Sequence, residues 1–182
     1  MNRIPVLFIL LGVLIGQARI GEWQAYTAPF HINDITGYEK LAVCGTNGGL
    51  LIYDQDKNTF NTLTVIDQLA GTGINVVEIG QDGYLWLGGV SPDGFVQVYD
   101  LNTKSSIAEF DFGLTEIIDI SISDSIGFIA FLENQDWGLM EFIYRDENWI
   151  YRDVYRNWPT DFESINAIEI WDDEIMVATE QG

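Results

Sequence analysis

The chain has 182 residues, of which 47% are hydrophobic and 13% aromatic, enough to bury a sizeable core in one domain or a repeat array. Its 28 acidic and 8 basic side chains give a net charge of −20, which repels phosphate backbones and anionic lipid, so nucleic-acid binding and peripheral membrane association are not expected. A single cysteine, Cys44, excludes an intramolecular disulfide framework.

Asn2-Arg3 precede an apolar run from Ile4 to Ile15, followed by Gly16-Gln17-Ala18. A basic start, a short apolar stretch and a small-x-small ending predict a secretory signal peptide over 1–18, cleaved after Ala18. The run is shorter than the roughly 20 residues a bilayer span needs, so no membrane insertion is expected after cleavage. The expected location is outside the cytoplasm: periplasm, cell surface or medium. The segment Trp23 to Thr27 reads as a closure strand that pairs with strands from the far end of a ring.

From Ile32 onward one unit recurs. Its clearest copy spans Leu63 to Asp100, where Ile74 to Ile79 meets Asp82-Gly83, a dipeptide suited to a two-residue hairpin, and Tyr84 to Leu87 follows. Gly88-Gly89 reads as a break, and a third strand, Phe95 to Tyr99, follows Pro92-Asp93-Gly94. The glycine before the third strand recurs at Gly49, Gly94, Gly138 and Gly182, at separations of 45, 44 and 44 residues. The first strand recurs as Ile32-Asn33-Asp34-Ile35, Ile74-Asn75-Val76-Val77, Ile117-Ile118-Asp119-Ile120 and Ile165-Asn166-Ala167-Ile168. A fourth strand follows the third at Phe60 to Leu63, Ile107 to Phe110 and Trp149 to Arg152.

Four antiparallel strands in roughly 40 to 50 residues mark a β-propeller blade. Short runs of Val, Ile, Phe, Tyr and Trp, punctuated by Gly, Asp and Asn, exclude helical solenoids of similar period. A β-sandwich also uses many short strands, but it wets one face of each, whereas LWLGG and FIAF are apolar on both. The expected fold is all-β: an incomplete propeller of four-stranded antiparallel blades at 32–63, 74–110 and 117–152, with a partial fourth at 165–182. About three and a half blades fall short of the roughly 4 to 8 of a closed ring, so further C-terminal blades of the same chain are expected as partners. In the third repeat Glu133 to Trp137 reads as a lengthened loop, and Arg152 to Phe162 as a long connection.

The stretch LTVIDQLAGTGINVVEIGQDGYLWLGG resembles the two-component regulator propeller repeat. Leu63-Thr64, Leu69, Ile74, Asp82-Gly83, Leu85-Trp86-Leu87-Gly88 and Tyr99-Asp100 carry the resemblance; Gly45-Thr46, Gly48-Gly49-Leu50 and Tyr53-Asp54 extend it to the first repeat. Repeat three matches poorly. That family implies the extracytoplasmic sensor region of a hybrid histidine kinase, or an exported protein with a sorting domain. The opening, with Gly21, Trp23 and Gln24 before an early inner strand, also looks like the N-terminal propeller of PorZ-type accessory proteins of type IX secretion.

Catalytic constellations are scarce. His31 is the one histidine, no Gly-x-Ser-x-Gly elbow exists, and His or Cys ligands for a metal are lacking. Asp54-Gln55-Asp56-Lys57-Asn58 imitates the start of a calcium loop, but Thr59 and Val65 stand where Gly and Glu are needed, so it reads as a turn. No cofactor and no metal are expected. Two groups are candidate binding residues. Asn33, Asn75 and Asn166 share one register of the inner strands, and Arg152, Tyr155, Arg156 and Trp158 form the densest aromatic and basic group of an acidic chain. The expected function is a non-catalytic module that binds or senses a protein or carbohydrate ligand within a larger exported protein. A structural component of type IX secretion and a propeller lyase or glycosidase are the alternatives.

Overall fold

The computed structural model describes residues 27, 29–80, 82–91, 93–158, 162–172 and 174–181. The expected signal peptide and residues 23–26 of the expected closure strand lie outside the described residues, as does Gly182; Thr27 is half-buried and in no strand.

Three four-stranded antiparallel sheets and one two-stranded sheet follow one another along the chain. The first contains β1 (Ile32–Tyr38), β2 (Leu41–Thr46), β3 (Gly49–Asp54) and β4 (Thr59–Leu63). The second contains β5 (Gly73–Ile79), β6 (Leu85–Ser91), β7 (Gly94–Asp100) and β8 (Ser105–Leu114). The third contains β9 (Glu116–Ser123), β10 (Ile126–Glu133), β11 (Asp136–Arg145) and β12 (Asn148–Tyr155). The fourth has β13 (Ile165–Trp171) and β14 (Glu174–Thr179). First strands pack in series, β1 on β5, β5 on β9 and β9 on β13. That is the radial arrangement of propeller blades: an all-β arc of about three and a half blades among the described residues.

Each junction between blades has its own apolar layer, because side chains of both faces of a central blade are buried. Val43, Leu50, Ile52 and Leu63 of the first blade meet Ile74, Val77, Leu85, Leu87 and Tyr99 of the second. Val76, Trp86, Val96 and Val98 meet Ile117, Ile120, Ile129, Phe131 and Phe142 at the second junction, and Ala130 and Leu139 meet Ile165 and Ile168 at the third. Strand β7 is buried over Gly94–Tyr99, the two-sided burial expected of a blade centre. Trp86 is wholly buried and stands perpendicular to Trp149, 4.9 Å between centroids, while its indole N–H has no acceptor among the described residues.

Several local expectations are corrected. The β5–β6 connection is longer than a two-residue hairpin: β5 ends at Ile79, β6 starts at Leu85, and the N–H of Gly80 donates to the Tyr84 carbonyl at 2.9 Å. Gly83, at φ 80°, stands where left-handed backbone is needed. Gly88-Gly89 is no break, since both lie inside β6. They are small because neighbours come close: a Cβ on Gly88 would stand 2.4 Å from Ile117 of the next blade, and one on Gly89 2.2 Å from the Phe95 ring. Glu133 to Trp137 is no long loop, because β10 and β11 extend and leave only Asn134-Gln135 between them, Asn134 at φ 59°. Likewise β12 continues through Tyr155, so Arg152 and Tyr155 belong to a strand and the connection starts at Arg156. Arg152 is the extra residue of a bulge, since Glu141 pairs with Asp153 and Phe142 with Tyr151.

Candidate functional site

The asparagine register sits on the inner strands and joins blades. Asn33 Nδ2 donates to the carbonyl of Ile74 at 2.8 Å. Asn75 Nδ2 donates to Glu116 Oε1 at 2.6 Å and to the carbonyl of Ile117 at 3.3 Å. Each of these two amides thus reaches an isoleucine at the second position of the next blade's first strand. Asn166, on the exposed face of β13, accepts from Ser164 Oγ at 3.3 Å.

Two aspartates on first strands, Asp34 of β1 and Asp119 of β9, do similar work and were not singled out in the sequence. Asp34 Oδ2 accepts from the backbone N–H of Val77 at 2.9 Å, and Asp119 Oδ2 from that of Ile168 at 2.7 Å. Their other oxygens accept from Ile35 at 2.8 Å and Ile120 at 2.9 Å. The alternation Asp34, Val76, Asp119, Ala167 at the third position was visible, but its meaning depends on a partner a whole blade away. These carboxylates, with Glu169, also face Glu78. Burial first, then the charges of Glu169, Asp34 and Asp119, push its carboxyl up to about 7.

The aromatic and basic group divides in two. Arg152 Nη1 bonds Glu141 Oε1 at 2.8 Å and Tyr155 Oη donates to Glu141 Oε2 at 2.7 Å, so both serve a carboxylate whose side chain is 7% exposed. Glu141's bond and charge push the Tyr155 phenol up. Arg156 and Trp158 instead line a cleft of 510 Å³ with Trp137, Phe162, Gln135, Asp136 and Asn157. Trp158 Nε1 donates to the Trp137 carbonyl at 3.1 Å, and its ring meets Phe162 edge-on at 5.0 Å. Arg156 pairs with Glu133 and lies 5.1 Å over the Phe131 ring. Glu180 accepts from the backbone of Glu163 and Ser164, anchoring the far end of the connection. The cleft therefore offers indole and phenyl surface beside amide, carboxylate and guanidinium edges, a mixture suited to orienting a ligand with one apolar face.

Other sequence features take structural places. Asp54 accepts from the N–H groups of Asp56 and Lys57 and pairs with Lys57 Nζ at 2.6 Å, which holds its carboxyl below the usual range. The calcium-like segment is a hairpin cap, repeated where Asp100 accepts from Asn102 and Thr103. Thr64 and Asp67 form a capping box on a single 3₁₀ turn, Val65–Asp67. Buried Gln97 holds the following residues, accepting from Ala70 N at 3.0 Å and donating to the Gln68 carbonyl at 2.8 Å. Cys44 is buried in β2, where burial and then the Asp34 charge push its thiol up. His31 is exposed before β1. Among the described residues no group of three or more His, Cys, Asp or Glu could hold a metal ion.

The architecture and junctions define a repeat scaffold of the β-propeller type. Solved structures agree at the level of fold. The chain is similar to the computationally designed Ika4 protein (TM-score 0.60, 13% identity, 92% of this chain and 94% of that one). It is also similar to the N-terminal domain of Nup159 (TM-score 0.55, 13% identity, 79% and 37%) and the RRP9 WD40 repeats (TM-score 0.59, 8% identity, 80% and 43%). It thus spans less than half of each of the last two chains. No family model and no curated protein matches the sequence.

Proposed function

We propose that this protein is an exported, non-catalytic β-propeller that serves as a ligand-binding or sensing module. The observation that carries the reading is the 510 Å³ cleft formed where Arg156, Asn157, Trp158 and Phe162 meet the Trp137 hairpin. Longer loops on a rigid repeat scaffold are where such proteins place recognition. The ligand is a peptide segment or a saccharide with an apolar face for Trp137, Trp158 and Phe162 and polar edges for Gln135, Asp136 and Asn157. Screening the purified protein on peptide and glycan arrays, followed by calorimetric titration of the best binder, tests this. Trp158→Ala is expected to weaken that binding at least about tenfold, the loss of one well-packed aromatic contact. Binding unchanged by Trp158→Ala and Arg156→Ala would place recognition elsewhere and overturn the reading.

A lyase or glycosidase reading has one observation in its favour, the Glu78 carboxyl raised to about 7, the range of a general acid. Turnover of a polysaccharide panel that disappears in Glu78→Gln would select it over the binding module.

A further inference from the structure

We infer that Asn47, in the turn between β2 and β3, is a site of spontaneous covalent modification: the backbone nitrogen of Gly48 displaces its side-chain amide, at a rate set by the Thr46 hydroxyl. This concerns the first blade and stands apart from the ligand cleft.

Reactivity starts from the residues of the turn. Asn47 is the one asparagine of the sequence that precedes a glycine. A side chain on the following residue shields the attacking nitrogen and restricts the backbone around it, whereas glycine, without a Cβ, does neither. Thr46 and Gly49 close the hairpin as a pair, so Asn47 and Gly48 are the whole connection. Asn47 is exposed, and water reaches its amide.

The step balances with solvent alone. Gly48 N loses its proton to hydroxide and bonds Asn47 Cγ; the Cγ–Nδ2 bond breaks, and Nδ2 leaves as ammonia with a proton from water. A five-membered imide results. Water then opens it at Cγ to give aspartate, or at the main-chain carbonyl to give isoaspartate, with Cβ now part of the backbone.

What the fold adds is a restraint. The Gly48 N–H donates to Thr46 Oγ1 at 3.0 Å, Thr46 Oγ1 donates onward to the Gly49 carbonyl at 2.7 Å, and Thr46 is wholly buried. While that bond is made, the nitrogen keeps its proton and points at the threonine, so attack waits for the turn to open. The Asn47 side chain is held less firmly: its Oδ1 accepts from the His31 N–H at 3.4 Å, near the outer limit of a hydrogen bond. Thr46 is therefore the latch, and the rate records how often it lifts.

Modification matters here because several segments meet at this turn. The Asn47 N–H donates to the His31 carbonyl at 3.4 Å, and the Gly49 N–H donates to the carbonyl of Thr72, just before β5, at 2.8 Å. Gly49 has φ 115°, and a Cβ there would stand 2.2 Å from the Leu63 carbonyl oxygen, so the turn has no slack. Isoaspartate adds a backbone atom to this connection and loosens the tie between the first blade and the segment that leads into the second. Aspartate keeps the chain length and adds one negative charge to the net −20.

The test incubates the whole chain at neutral and mildly alkaline pH, folded and in urea. The peptide that contains Asn47 is followed by mass spectrometry, with isoaspartate told from aspartate by electron-transfer fragmentation. Conversion is expected to quicken with pH, because the nitrogen must lose its proton, and to run about tenfold or more faster in urea, where latch and turn are both gone. Thr46→Val is expected to accelerate the folded-state conversion about three- to tenfold, the factor of one lost hydrogen bond, and to change nothing in urea. Thr46→Ser keeps the hydroxyl and is expected to stay near the wild-type rate. Asn134 begins the equivalent connection of the third blade but precedes Gln135, so it is the internal control and is expected to keep its amide. In the isolated isoaspartate form, amide exchange at Gly49 is expected to be faster than in the unmodified chain. An Asn47 that stays intact in urea overturns the inference. Equal wild-type rates folded and in urea also overturn it, as does a Thr46→Val protein with the wild-type far-ultraviolet spectrum and the wild-type rate.

Discussion

Glu78 illustrates how a single side chain records the geometry of the whole arc. It lies on β5, yet Glu169 of β13, Asp34 of β1 and Asp119 of β9 all raise its pKa, because inner strands bring distant repeats to one axis. The folded-state value of about 7 exceeds the ordinary 4.5, so the fold favours the neutral acid. That contribution to stability is complete below about pH 4.5 and is lost as the pH rises through about 7. Glu78→Gln keeps the shape and removes the titration. It is expected to be more stable than the wild type at pH 8 by on the order of 1 kcal/mol, after allowing for solvent screening of a half-buried group, and to lose that advantage by pH 4.5. Urea unfolding of both proteins across this range checks it. A difference independent of pH would show that packing, and no charge, is responsible.

Among the strands, the spacing between blades is set by glycine. A Cβ on Gly88 would fall 2.4 Å from Ile117 Cγ2 and 2.6 Å from Val76 Cγ1, so Gly88→Ala must push the second and third blades apart. A loss of about 1–3 kcal/mol is expected, the usual cost of overpacking, read as a lower urea midpoint at unchanged slope. By contrast Gly37 of β1 has open space around it, and Gly37→Ala is the control for a strand glycine without close neighbours. The strands themselves were legible because apolar runs bounded by Gly, Asp and Asn are local signals. What misled the reading of Gly88-Gly89 as a break was also local: two glycines look like a turn until the neighbouring blade is in place. Glu133 to Trp137 failed for the opposite reason, since polar residues at the rim of a blade extend the ladder without needing burial. In the candidate sites, the Asn register was legible because it repeats with the blade. The cleft was only partly so: Arg156 and Trp158 were found in the connection, while Trp137 comes from a hairpin two strands earlier.

At the scale of the molecule, the apolar layers join each blade only to its neighbours, as in linear repeat proteins, so packing stability follows how many covered faces each blade has. The second blade is covered on both faces by the first and second apolar layers, and the third by the second and third. Among the described residues the first and fourth have one covered face each, and the fourth has two strands to share it. Hydrogen exchange is therefore expected to be slowest in β5, β6, β9 and β10 and fastest in β13 and β14, with opening free energies separated by about 2 kcal/mol or more. Equal protection across all blades would show that the arc opens as one cooperative unit.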